Sequence, residues 1–255
     1  MGVIGADVAN APIIQLLGID FCNVSPEAVI ERLLARPEGA RFSYIVTPNA
    51  DHMERLLRIH GLRPIYQRAM LCLLDSTLIS RFARKLGLPT PQVITGADLT
   101  EALLPHLGGR RVAVIGMDEP DFSTLVRRFP AISFIHYSPP MGLLHDCAAF
   151  NRTRDFIIDT QAAFTFFSIG SPVQEMLAYA VSGEPRAVGV GLCTGSALAF
   201  ASGAVKRAPL WIREAGMEWI YRLARNPTRL AGRYLISDPL VLLALCWTAL
   251  REKFH

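Results

Sequence analysis

At 255 residues, 51% of them apolar, the chain is long enough for one large α/β domain, or for one domain with an appendage. Its Leu, Ala, Ile and Val content and a mean hydropathy of +0.30 exclude a disordered chain. The net charge of +4 is unevenly placed: residues 206–255 hold nine Lys/Arg against four Asp/Glu, so the basic character belongs to the tail.

A basic tail points to nucleic acid, anionic lipid or a phosphorylated substrate. The first is the weakest of the three, because no nucleic-acid motif with interleaved aromatics is present. Five cysteines, odd in number and without CxxC or Cys/His spacing, argue against disulfides and structural zinc, and most read as small core residues. The amino terminus lacks a charged start before its apolar stretch, and Asp7 interrupts that stretch. No signal peptide is predicted, and a reducing cytoplasm fits.

Residues 13–21 read as a strand broken at Leu17-Gly18, followed by Ser25 as the N-cap of a helix over 26–34. Residues 42–46 form the next strand, which empties into Thr47-Pro-Asn49-Ala-Asp51-His52 ahead of a helical region over 53–67. In parallel α/β sheets ligands bind outside the carboxyl ends of strands, which puts Thr47, Asn49 and Asp51 where chemistry is expected. The plainer reading is a turn, with Asp51 as a cap and His52 as a capping or core histidine.

Residues 70–74 are a further short strand, delivering Asp75 to the same edge. There it is placed to act as a general base, and burial would raise its pKa toward the working pH. A helix follows over 80–86, then a loop, then Gly96-Ala-Asp98-Leu opening another helix with Asp98 as its expected N-cap. Strands over 111–115, 132–137 and 163–168 alternate with helices over 121–129 and 146–159.

The last of these strands ends on Gly170-Ser-Pro-Val-Gln174-Glu175. Pro172 and Glu175 suit the first turn of a helix, while Gln174 is left to face a ligand. Gly189-Val-Gly191-Leu-Cys-Thr-Gly195, after a short strand over 187–190, has a spacing that lets a backbone approach phosphate. As a dinucleotide fingerprint it is weak, since it comes at the end of the fold and no acidic residue follows on a further strand. A nicotinamide-dependent oxidoreductase would require it.

The alternation predicts an α/β fold: a Rossmann-like, mostly parallel sheet with helices on both faces. Two segments are expected, a core over 1–203 and a helical, basic appendage over 204–255. Arg229 and Arg233 lie four apart on one helix, and four arginines in residues 222–233 beside Trp and Tyr point to a phosphate clamp or a lipid-headgroup surface. Residues 239–250 are apolar but too short to span a bilayer, which takes about 20 residues. They are expected at the membrane surface, with a core helix as the alternative.

Taken together, Thr47-Pro-Asn49-Ala-Asp51-His52, Thr95-Gly-Ala-Asp98-Leu99, Gly170-Ser-Pro-Val-Gln174-Glu175 and the run from Arg207-Ala-Pro209 through Glu218-Trp219-Ile-Tyr221-Arg222 to Pro227-Thr-Arg229 resemble the WecG/TagA/CpsF glycosyltransferase family. The resemblance implies an inverting enzyme that moves a sugar, of glucose or N-acetylmannosamine type, from a UDP-sugar to a polyprenyl-diphosphate-linked saccharide. It places that enzyme peripherally at the inner face of the cytoplasmic membrane, in exopolysaccharide or other cell-surface polysaccharide synthesis. It implies no cofactor and no obligate metal; a homo-oligomer is left open.

By the same resemblance Asp75 is the general base, and Thr47, Asn49 and Gln174 line the substrate pocket. Arg222 and Arg229, with Arg233 substituting for an arginine usual at Gly232, hold diphosphate charge. The chain departs from the family pattern at Ser76, Val93 and Ala199, where glycine, arginine and aspartate are expected. A catalytically impaired relative that binds lipid intermediates or a partner enzyme is the alternative.

Overall fold

Leu17 and Gly18 both adopt positive φ, 54° and 72°, the requirement of the tight turn whose twist matches a two-residue β-hairpin. The expected single broken strand is therefore two antiparallel strands, β1 (Ile13–Leu16) and β2 (Ile19–Cys22), paired Leu16 to Ile19. The structure is a computed structural model that describes residues 11–209, 211–212, 218–225 and 237–253.

Six further strands, β3 (Ser43–Val46), β4 (Leu71–Cys72), β5 (Arg111–Gly116), β6 (Ser133–Tyr137), β7 (Phe164–Ser168) and β8 (Val190–Cys193), form one sheet in the order β4-β3-β8-β7-β5-β6. Every pairing in it is parallel. The continuous apolar runs of β3, β5, β7 and β8 follow from burial on both faces.

Alternation along each strand divides the core. Tyr44, Val46, Ile115, Phe167 and Cys193 face α2 (Ala50–Arg58), α3 (Arg63–Gln67), α4 (Thr77–Lys85), α7 (Cys147–Thr160) and α8 (Val173–Ser182). Ile45, Val114, Phe166 and Leu192 face α1 (Pro26–Leu34), α5 (Gly96–Leu103), α6 (Glu119–Arg128) and α9 (Ala197–Ser202). The expected Rossmann-like architecture is what the chain forms.

Two further elements differ from expectation. The strand near the glycine-rich stretch begins at Val190, so Gly191 lies inside β8, where an added Cβ would meet Phe42 at 2.7 Å and Phe167 at 2.8 Å. Gly191 is therefore small for packing, inside the strand and not in the turn that follows it.

The carboxyl-terminal apolar run is α11 (Asp238–Lys253), which follows α10 (Glu218–Arg225). Val241, Leu245 and Ala249 are buried in the core and α11 packs on α2 and α4. Leu240, Leu243, Trp247 and Leu250 are exposed on its other side. The helix thus joins the core along one stripe and offers a second apolar stripe outward. Among the described residues no helix is long and apolar enough to cross a membrane.

Candidate active site

The register of the sheet sets the site. Val46 pairs with Cys193 and Phe166 with Leu192, so Thr47, Thr194 and Ser168 leave their strands at one level. The segment after β4 runs beside the loop after β3, with the Leu73 amide donating to Val46 O (3.0 Å) and the Asp75 amide to Pro48 O (3.0 Å). After β3 the chain turns toward β4, whereas after β8 it turns back through α9, which packs on α5 and α6. A crevice outside the carboxyl ends is expected at such a divergence.

On one side of this rim stand Asp75, Thr47 and Thr194. Asp75 is half-buried, and its Oδ2 accepts from the Gly96 amide at 3.1 Å. Thr47 is buried and donates Oγ1–H to Cys193 O at 3.2 Å. A Cβ on Gly96 would lie 3.0 Å from both Thr47 Oγ1 and Thr194 Cβ. Gly96 is the contact point of the three segments.

The helix that Gly96 opens is capped by Thr95, whose Oγ1 accepts from the Asp98 amide at 3.0 Å. Asp98 is thus not the N-cap expected. Its carboxylate accepts from Thr95 Oγ1 (2.6 Å) and pairs with Arg207 (2.7 Å). Arg207 also reaches Glu101 at 3.0 Å, tying the start of the carboxyl-terminal segment to α5.

On the other side, Asn49 caps α2 in a capping box with His52. Asn49 Oδ1 accepts from the Asp51 amide (3.1 Å) and lies 2.8 Å from His52 Nδ1. Asp51 is a first-turn residue, paired with Arg55 at 2.6 Å, and Arg55 continues to Ser171 Oγ at 2.8 Å. His52 Nε2 faces Glu175 Oε1 at 3.5 Å.

Gln174, expected to face a ligand, is 2% exposed and turns inward. It donates to Glu175 Oε1 (2.7 Å) and accepts from the Gly195 amide (3.2 Å), so it shapes the loop after β8 from beneath.

Glu175 is 1% exposed. Burial pushes its carboxyl up, but the hydrogen bonds and charge of His52, then Gln174 and Ser171, outweigh this and hold it below the usual carboxyl range. Burial and this charge together push the Tyr66 phenol far above its ordinary value.

The sequence reading missed Glu175, Ser171, Gly96 and Thr194. The order strand, small polar residues, helix was the available signal for all four. Arg222 falls on α10 with its side chain outside the described residues, and Arg229 and Arg233 lie outside the described residues altogether. Among the described residues no three His, Cys, Asp or Glu side chains group at metal-binding spacing. A cleft of about 250 Å³ opens at the opposite edge of the sheet, by Arg36, Arg110 and Arg111. It lies at the amino-terminal ends of the strands, away from this rim.

Relatives share this chain nearly end to end. A protein of Staphylococcus aureus strain MW2, an N-acetylglucosaminyldiphosphoundecaprenol N-acetyl-beta-D-mannosaminyltransferase, is 26% identical over 242 residues, covering 92% of each chain. Proteins of the same description from strains MRSA252 and NCTC 8325 are 27% and 25% identical, each over 84% of this chain and 85% of the relative. The model of the glycosyl transferase WecG/TagA/CpsF family matches residues 14–255. With a parallel α/β sheet whose carboxyl rim gathers Thr47, Asp75, Asn49 and Gln174, and a family match over nearly its whole length, this chain is a glycosyltransferase of the WecG/TagA/CpsF family.

Proposed function

We propose that the protein transfers a sugar of the N-acetylmannosamine type from UDP to a polyprenyl-diphosphate-linked N-acetylglucosamine, with inversion at the transferred carbon. The observation that carries this reading is the placement of Asp75. It is a half-buried carboxylate at the carboxyl rim, oriented by the Gly96 amide and beside Thr47. The donor and acceptor follow the activity named for the S. aureus relatives, and a glucose donor in exopolysaccharide assembly is the competing assignment.

In the proposed reaction Asp75 takes the proton of the acceptor hydroxyl as that oxygen attacks the anomeric carbon. The bond from that carbon to the UDP oxygen breaks on the opposite face, so configuration inverts. Negative charge then develops on UDP, and Arg222, Arg229 and Arg233 supply fixed donors for it. Asn49 and Thr47 orient the sugar, while Gln174 holds the Gly195 loop against it.

The acceptor is lipid-borne, and the outward stripe of α11 supports peripheral attachment to the inner leaflet. Leu240, Leu243, Trp247 and Leu250 recur on one side of the helix, with Trp211 and Ile220 also exposed. On this reading residues 204–255 act as the membrane-meeting appendage of a core over 1–203.

The test is incubation of purified protein with a panel of UDP-sugars and a short polyprenyl-diphosphate N-acetylglucosamine, followed by mass analysis of the lipid product. Addition of one N-acetylhexosamine from the manno-configured donor is expected. Addition of glucose alone would reassign the donor, and no addition from any donor would favour the impaired relative.

A further inference from the structure

Glu175 has no place among the groups proposed to touch substrate, yet it is the most deeply buried carboxylate of the site, and its Oε2 has no hydrogen-bond partner. A carboxylate kept charged under these conditions works against stability unless its charge is used. Its Oε1 is used twice. It accepts from Gln174 Nε2 at 2.7 Å and faces His52 Nε2 at 3.5 Å. Gln174 continues to the Gly195 amide, and His52 Nδ1 continues to Asn49 Oδ1 at 2.8 Å.

The orientation of each amide is set by its neighbours. Asn49 Oδ1 is fixed by the Asp51 amide, and Gln174 Oε1 by the Gly195 amide. Gln174 must therefore aim its NH2 at an acceptor, and in the capping box His52 Nδ1 accepts from the Asn49 backbone amide (3.4 Å), which leaves Nε2–H to donate toward Glu175. A carboxylate at position 175 meets both demands. A neutral amide in the same place could still accept through its one oxygen, but it would lack the charge that strengthens both contacts and would set its NH2 where the unpartnered Oε2 stands.

We infer that Glu175 is a positioning residue for glycosyl transfer: one buried carboxylate locks His52 and Gln174, and through them sets Asn49 on one side of the crevice and the Gly195 loop on the other. The inference rests on the proposed transferase reading for its effect on rate, but the coupling it describes is measurable without turnover.

The experiment compares full-length protein with Glu175→Gln. Three readouts are taken: initial rates with the donor and lipid acceptor above, melting temperature, and the ¹⁵N shifts of the His52 ring, assigned with His52→Asn. The expected result is a kcat lowered roughly 10- to 100-fold, the scale of misplaced reacting groups. KM for the donor holds, the protein stays folded at the assay temperature with a modestly lowered melting temperature, and the His52 ring nitrogens shift.

A kcat near wild type overturns the inference, as does a loss of activity that only follows a loss of folded protein. If Glu175→Gln does not fold, His52→Asn breaks the same link from the other side and is read in the same way. If the wild type itself turns over no donor, the transferase reading fails. The imidazole signal then decides the inference alone: ring nitrogens unmoved by Glu175→Gln overturn it, and a shift upholds it.

Discussion

The Gly96 amide donates to Asp75 Oδ2 at 3.1 Å, so the residue that opens α5 orients the carboxylate that ends the β4 segment. The same glycine is tightly enclosed: a Cβ would meet Thr47 Oγ1 and Thr194 Cβ at 3.0 Å and the Thr194 backbone at 3.2 Å, so its neighbours would have to yield. Gly96→Ala is expected to push Thr47 and Thr194 from the rim. Steady-state assays should show kcat/KM reduced by on the order of 100-fold, with a stability loss of about 1–3 kcal/mol by urea unfolding.

Gly191 makes the opposite case. Its crowding is by Phe42 and Phe167 in the core, not by anything at the rim. Gly191→Ala should cost about 1–3 kcal/mol of stability by overpacking. Nucleotide affinity of the folded fraction, measured by calorimetry with UDP, should stay at the wild-type value.

Both glycines show how far the sequence could be read. The apolar runs of β3, β5 and β7 were visible because strands buried on both faces are apolar at every position. Asp75 and Thr47 were visible because a small polar residue after such a run marks the carboxyl edge. What the chain order did not show was pairing across that edge. Gln174 was expected to face a ligand, but the Gly195 amide and Glu175, brought in by register, take its side chain inward. Asp98 lost the expected cap to Thr95 because a hydroxyl one residue before the first turn reaches the amide of the third. The Leu17-Gly18 hairpin was hidden because leucine is an uncommon residue at positive φ.

Glu175 gives the chain an acid-sensitive contribution. Its folded pKa lies below the ordinary value of 4.5, because pairing with His52 and bonds from Gln174 and Ser171 outweigh burial. A group depressed on folding stabilises fully above its unfolded pKa, and that share is lost as pH falls through the folded value. Urea midpoints measured from pH 7 to pH 3 should therefore fall more steeply for wild type than for Glu175→Gln, with the difference appearing below about pH 4.5.

The two stripes of α11 separate folding from membrane contact. Leu245 is fully buried, and Leu245→Ala should destabilise by about 2–5 kcal/mol. Leu243 and Trp247 are each 66% exposed, so the double substitution Leu243→Glu, Trp247→Glu should leave the melting temperature nearly unchanged. Cosedimentation with anionic vesicles should fall to background for that double variant. Leu245→Ala should still bind wherever it is folded.

Proton removal by Asp75 is the central step of the proposed reaction, and Asp75→Asn tests it directly. Asparagine keeps an oxygen to accept from Gly96 but cannot take a proton from the acceptor hydroxyl. Turnover of the UDP-sugar on the lipid acceptor should fall by roughly 10²- to 10⁴-fold at an unchanged melting temperature. A variant that folds and turns over within a few-fold of wild type would contradict the mechanism and move the catalytic base elsewhere on the rim.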